Sequence, residues 1–122
     1  MIPRPILLAV VLAAAALPAF GQTFTPQSPA GLNVTFTTER AGGTRLLVFG
    51  EVRNTNNMTA QRIVLLAEGL DQDGRVVSRA RGYILGGVPP HGSAPFEIRL
   101  LASGGERRYR VQIESFEFQV SN

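Results

Sequence analysis

Residues 61–84 read QRIVLLAEGLDQDGRVVSRARGYI, two candidate strands separated by the polar sequence DQDG at 71–74. The first contains a continuous apolar run over 63–67, which does not distinguish a buried strand from a short helix, but its Ile-Val pair favours a strand. Glycine after aspartate supplies a residue that takes positive φ, as a tight hairpin turn requires. We therefore predict a β-hairpin with strands over 61–70 and 75–84.

Other parts of the chain show the period-two alternation of apolar residues that is typical of strands with one buried face. The predicted core faces are Val34, Phe36 and Thr38; Leu46, Val48, Gly50 and Val52; and Phe96, Ile98 and Leu100. Strands at intervals of about ten residues predict an antiparallel β-sandwich of six to seven strands, an all-β fold. By contrast, the glycines and prolines of GGVPPHG at 86–92 predict an irregular connection.

The last predicted strand changes the phase of its apolar residues. Its apolar positions are odd at first and even afterwards: Tyr109, Val111 and Ile113, then Phe116, Phe118 and Val120. A regular strand cannot bury both sets on one face, so we predict a β-bulge or bend at Glu114–Ser115. Alternatively, the second half of the strand crosses to the other sheet.

The amino terminus has the features of a secretory signal peptide. Arg4 precedes an apolar run over 6–20, and small residues stand at Ala19 and Gly21. This pattern predicts export and cleavage after Gly21. The alternative is an uncleaved membrane anchor, although the run is shorter than the ~20 residues that a spanning helix needs.

Three segments follow: a signal peptide over 1–21, a flexible lead-in over 22–31, and a β-sandwich domain over 32–122. A short signal, together with basic residues that are all arginine (a sign of GC-rich coding), favours a bacterial protein that is periplasmic or extracellular. Membrane association is expected only if the signal segment stays uncleaved.

Composition excludes several classes of protein. A chain of 122 residues without cysteine is too small for a multidomain enzyme and contains neither disulfides nor thiolate metal ligands. The twelve basic residues exceed the nine acidic ones by only three, which is too little for a nucleic-acid-binding protein, so we expect no nucleic-acid partner.

The segment over 48–77 has a strand ending in Gly-x-Val-x-Asn, a polar loop, an apolar strand and then Leu-Asp-x-x-Gly-x-Val-Val. A Pro-x-x-Gly-x-x-x-Phe unit (89–96) and Tyr-x-Val-x-Ile (109–113) follow. This layout resembles the bacterial FxLYD-type domain and, more distantly, the WHy and late-embryogenesis-abundant sandwiches. Within the motif that names the family, Asp71 is kept, and Leu70 stands at the tyrosine position. The resemblance implies an Ig-like sandwich in exported or membrane-attached proteins, and it brings no catalytic residues.

The sequence offers little for catalysis or metal binding. Its single histidine, His91, lies in a Pro-Pro-His-Gly turn without a partner at ligand spacing. Asp71 and Asp73 begin like a calcium loop, but the later ligands are missing. Glu114 and Glu117 are predicted to face opposite ways unless the bulge realigns them, and opposite orientations do not suit the paired acids of a glycosidase. We expect a protein that is not an enzyme and has no cofactor and no metal.

Two groups of residues are candidates for an interaction surface. Arg75, Arg79 and Arg81 project from one predicted strand face and could contact anionic lipids, glycans or an acidic partner; alternatively, they form a solvated face. Leu47 and Phe49 lie opposite the predicted core face of their strand. If uncovered, they form an apolar patch; alternatively, a neighbouring strand covers them or their face is the true core.

These observations predict an interaction or accessory module of the cell envelope whose partner is another envelope or extracellular protein. The alternative is a carrier or sensor of a small amphipathic ligand held between the sheets, in a cavity lined by Leu66, Phe96, Ile98 and Phe116. A hydrolase that uses surface acids is a third and weaker hypothesis.

Overall fold

The structure, a computed structural model, describes residues 31–119. The predicted signal peptide and nearly all of the predicted lead-in lie outside the described residues. The described residues form six β-strands: β1 (Leu32–Gly42), β2 (Arg45–Asn54), β3 (Ala60–Leu70), β4 (Val76–Val88), β5 (Ser93–Leu101) and β6 (Arg108–Phe118). Within residues 31–119 there is no helix that could cross a membrane.

The strands form two antiparallel sheets of three strands each. Sheet 1 has the order β1-β2-β5 and sheet 2 has the order β4-β3-β6. The pairs β1–β2 and β3–β4 are hairpins, whereas the other connections cross from one sheet to the other. This all-β arrangement is consistent with the predicted β-sandwich, and six is the lower of the two predicted strand numbers.

The apolar side chains predicted to face the core in β1, β2 and β5 do so, whereas Thr38 and Gly50 of the predicted core faces are only half-buried. Buried residues of both sheets form one cluster, which includes Val34, Phe36, Leu46, Val48, Val52, Ile63, Leu65, Ala67, Ile84, Phe96, Ile98 and Leu100. The sheets approach each other closely where β4 lies over β5. The space at Gly82 shows this, since a Cβ added there would collide with Cγ1 of Ile98. A single apolar layer therefore joins the two sheets.

The hairpin predicted over 61–84 is confirmed. Oδ1 of Asp71 accepts hydrogen bonds from the backbone N–H groups of Asp73 and Arg75, both at 2.9 Å. Gly74 has a φ of 82°, the left-handed conformation that glycine adopts without a steric penalty. Asp71 and Gly74 therefore form the turn, as their sequence suggests.

The β-bulge predicted in the last strand is also confirmed. Val64 pairs with Ser115, and the next residue of β3, Leu65, pairs with Ile113, so Glu114 is an extra residue in β6. The bulge shifts the alternation by one, so that Ile113 before it and Phe116 and Phe118 after it all pack against the core.

One prediction was wrong at the end of β4, because residues 86–88 continue the strand instead of forming an irregular connection. The register with β3 shifts between Ile63↔Ile84 and Gln61↔Gly87, leaving an extra residue in β4. Gly86 lies in this bulge with a φ of 80°, so a glycine that suggested a loop instead allows the strand to resume pairing. The irregular connection begins only at Pro89.

Candidate functional site

The outer face of sheet 1 carries a groove that we name the β2 groove. It has a volume of about 580 Å³ and is lined by Glu39, Leu47, Phe49, Pro95, Phe96 and Glu97. Leu47 and Phe49 lie on the central strand and point away from the core, because the buried residues Leu46 and Val48 alternate with them. Their face is therefore not the core of the protein.

Charged neighbours flank the two apolar residues of the β2 groove. Leu47 lies between Glu39 of β1 and Arg99 of β5, and Phe49 pairs with Glu97 of β5. Both apolar side chains are half-buried and remain partly accessible to solvent. An apolar centre with a polar rim is the pattern of a protein interface.

The outer face of sheet 2 carries a second cluster, which we name the ion-pair face. The carboxylate of Glu68 on β3 is buried, with 3% of its side chain exposed. Its Oε1 accepts a hydrogen bond of 2.8 Å from Nε of Arg110 and one of 3.2 Å from Nε2 of Gln112. Nη2 of Arg79 lies 3.4 Å from Oε2. One buried carboxylate thereby links all three strands of the sheet.

Arg81 on the ion-pair face forms a bidentate pair with Glu114 of β6. The distances are 2.6 Å from Nε to Oε1 and 2.9 Å from Nη2 to Oε2. The hydrogen bond from Arg81 lowers the pKa of Glu114, and the same bond raises the pKa of Arg81. This pair spans β3 from one edge strand to the other, and the bulge that exposes Glu114 positions it there.

The three predicted arginines therefore do not form one free basic surface. Arg79 and Arg81 share the outer face of sheet 2, and each is paired with a carboxylate of its own chain. Arg75 precedes β4 and lies in the hairpin turn, where its backbone N–H binds Asp71. The paired carboxylates offset the positive charge that Arg79 and Arg81 would present to an anionic ligand.

The residues that we predicted to line a ligand cavity separate into different environments. Phe96 and Ile98 belong to the core cluster, and Phe116 packs against it while remaining partly exposed. Leu66 lies on the opposite side of its sheet, since it pairs with the exposed residues Arg81 and Gln112. The four side chains therefore do not face a common space between the sheets.

Asn54, the asparagine that ends the Gly-x-Val-x-Asn pattern, is a fully buried polar residue whose role sequence reasoning missed. Its Nδ2 donates hydrogen bonds to the carbonyl oxygens of Met58 at 2.7 Å and Val88 at 3.0 Å. Its Oδ1 accepts from the backbone N–H of Asn56 at 2.9 Å. A signal was present in the sequence, because Asn54 continues the even-numbered core face of β2.

Glu106 is a second residue that sequence analysis missed. Its carboxylate accepts hydrogen bonds from the backbone N–H groups of Ser103 at 2.7 Å and Gly104 at 2.9 Å. Burial alone would raise the pKa of Glu106, but hydrogen bonds to its carboxylate, including those from these two N–H groups, lower it to about 2. Glu106 therefore holds the turn between β5 and β6 in its ionised form.

The residues considered for chemistry have other contacts. His91 is exposed, with its Nε2 2.9 Å from Oδ1 of Asn57. Glu117 pairs with Arg62 at 3.2 Å. Among residues 31–119, no group of three or more histidine or acidic side chains could hold a metal ion.

No protein-family model, curated protein or solved structure matches the chain. The fold and the β2 groove are therefore the basis of a functional proposal.

Proposed function

We propose that this chain is an exported, non-catalytic interaction module of the bacterial cell envelope, and that it binds a partner protein through the β2 groove. The observation that carries the proposal is the position of Leu47 and Phe49. They occupy the centre of an outer sheet face, whereas Leu46 and Val48 of the same strand complete the core. Two apolar side chains without a core role are suited to an interface.

The strand order supports an Ig-like sandwich, the finer part of the fold proposal. In Ig domains the first, second and fifth strands share one sheet, and the strand that is added in variable-type domains extends the opposite sheet. The orders β1-β2-β5 and β4-β3-β6 fit that scheme if β4 is the added strand. This reading agrees with the resemblance to FxLYD-type domains.

The rim of the β2 groove indicates the chemistry of the partner. Glu39 and Glu97 lie on either side of the apolar centre, and Arg99 is 3.9 Å from Glu97 in a highly exposed pair that contributes little to stability. A partner that presents an apolar residue flanked by basic side chains would complement both features.

The test is affinity capture from envelope extract with the purified chain as bait, read by mass spectrometry. The wild type is compared with a Leu47→Ser/Phe49→Ser double variant. Leu85→Ser is the matched control, because Leu85 is 93% exposed and lies on β4 of the other sheet. We expect one enriched envelope protein that is retained by the control and lost from the double variant.

Far-UV circular dichroism of each variant establishes that loss of binding is not loss of folding. Retention of the partner by a folded Leu47→Ser/Phe49→Ser variant would exclude the β2 groove as the binding surface. A small molecule released on denaturing the wild type, without any protein partner, would instead favour the carrier hypothesis.

A further inference from the structure

The inward side chains along the free edge strand β6 are more exposed than those of β1, an edge strand of sheet 1. β6 pairs with β3, and on its other side none of the described residues 31–119 pairs with it. Its inward side chains are only partly buried except for Val111. By contrast, the inward residues of β1 are buried, since Leu32, Val34 and Phe36 are 3% exposed or less. Apolar surface is therefore accessible along β6.

The charges of β6 are divided between its two halves. Arg108 and Arg110 lie in the first half, and Glu114 and Glu117 lie in the second. When two copies of such a strand pair in antiparallel orientation, the basic half of each lies beside the acidic half of the other. Opposite charges on facing strands stabilise the pair, and like charges destabilise it.

One register of two antiparallel β6 strands satisfies both the charges and the apolar residues. If Gln112 lies on the two-fold axis, the inward residues Val111 and Ile113 face each other across the two strands. Beyond the bulge, which offsets the numbering by one, inward Tyr109 faces Phe116 and outward Arg108 faces Glu117. Each residue meets a partner of suitable chemistry on the same face of the sheet.

We infer that two copies of this chain associate by antiparallel pairing of their β6 strands. The resulting continuous sheet has six strands in the order β4-β3-β6-β6-β3-β4. Such an interface is isologous, with the same surface on both copies, and it satisfies the free backbone groups of an edge strand. The association goes beyond the proposed function, because the β2 groove lies on the other sheet and stays free.

The test is a charge exchange at Arg108 and Glu117 in the full chain, with the dimer dissociation constant measured by sedimentation equilibrium. Arg108→Glu and Glu117→Arg each place like charges opposite one another twice in the dimer. We expect each single variant to weaken association by about tenfold or more. The double variant restores an attractive pair, so we expect its dissociation constant to return close to that of the wild type.

The rescue reports contact between copies because these two residues cannot meet within one chain. They are nine positions apart on β6, which corresponds to roughly 30 Å. The intrachain partner of Glu117 is Arg62, which is 73% exposed, so losing that pair has little effect on folding.

Arg53→Glu is the matched control, because it reverses an exposed charge on β2 of sheet 1 and should leave the dissociation constant unchanged. A wild-type chain that stays monomeric at millimolar concentration would overturn the inference, as would a dimer that is insensitive to both single exchanges. If the dissociation constant of the double variant did not return toward that of the wild type, the proposed register would be wrong.

Discussion

Asn54 shows how one polar side chain can organise several segments from inside a protein. It has no solvent exposure, yet both ends of its amide have hydrogen-bond partners. Its Nδ2 donates to the carbonyl of Val88 at the end of β4, which joins β2 of one sheet to β4 of the other. Because Val88 is itself fully buried, its carbonyl has little access to water as an alternative partner.

Replacing Asn54 with alanine should therefore lower the free energy of unfolding by about 2–3 kcal/mol, since buried backbone carbonyls would lose their donor. Urea unfolding measures this loss. Asn57→Ala is the control, because Asn57 is exposed and its Oδ1 contacts the exposed His91; its expected effect is below about 0.5 kcal/mol. Equal losses for the two variants would show that the hydrogen bonds of Asn54 contribute no more to the free energy of unfolding than the exposed contact of Asn57.

At the scale of the elements, contact between the sheets depends on a missing side chain. Gly82 on β4 and Ile98 on β5 lie so close that a methyl group on Gly82 would overlap Cγ1 of Ile98. Gly82 has an ordinary strand conformation, so its requirement for glycine is steric rather than conformational. The absence of Cβ at this position lets β4 approach β5.

Gly82→Ala should destabilise the protein by about 1–3 kcal/mol, because the close-packed interface cannot absorb the extra methyl group. In an Ile98→Ala background the same change should be neutral or stabilising, since the added methyl then fills vacated space. A double-mutant cycle from denaturant unfolding measures this coupling.

Gly105→Ala serves as the control for Gly82→Ala, because a Cβ at Gly105 would meet no atom within 4 Å. Its expected effect is within about 0.5 kcal/mol. If Gly82→Ala cost the same with and without Ile98, the collision with Ile98 would not be its cause.

At the scale of the whole molecule, ionised carboxylates link strands and turns. Glu114 joins β6 to β4 through Arg81, and Glu106 closes the turn between β5 and β6. The pKa of each carboxyl lies below its ordinary value, and that of Glu106 falls from 4.5 to about 2. Both groups therefore hold their protons less tightly in the folded protein than in the unfolded chain.

Stability should consequently fall with acid. A carboxyl with a lowered pKa stabilises the fold fully above its unfolded pKa, and this contribution is lost as the pH falls toward the folded pKa. Between about pH 5 and about pH 2, the wild type should lose about 1 kcal/mol more than Glu106→Gln, a modest amount because solvent screens a partly exposed carboxylate. Urea unfolding at a series of pH values measures the difference.

Glu51→Gln removes the same charge from an exposed position and should leave the acid-dependent loss close to that of the wild type. Parallel curves for the wild type and Glu106→Gln would contradict the assignment of this pH dependence to the turn between β5 and β6.

The sequence by itself determined most of the strands, the core faces of β1, β2 and β5, and the turn that joins β3 to β4. Alternation of apolar residues identified the core face of β2, and the change of phase in β6 located its bulge at Glu114. Asp71 and Gly74 specified their turn. These features are local, because each follows from the period of a strand or the conformational range of one or two residues.

Tertiary structure decided which distant residues meet. Glu68 and Arg110 are 42 residues apart in the chain, and the order β4-β3-β6 brings them together. The same folding pairs Arg79 with Glu68 and Arg81 with Glu114. Two arginines that looked free in the sequence are therefore paired within the chain. It also leaves Leu47 and Phe49 half-buried on an outer face, because burial depends on the strands that lie beside a residue and not on its own hydrophobicity.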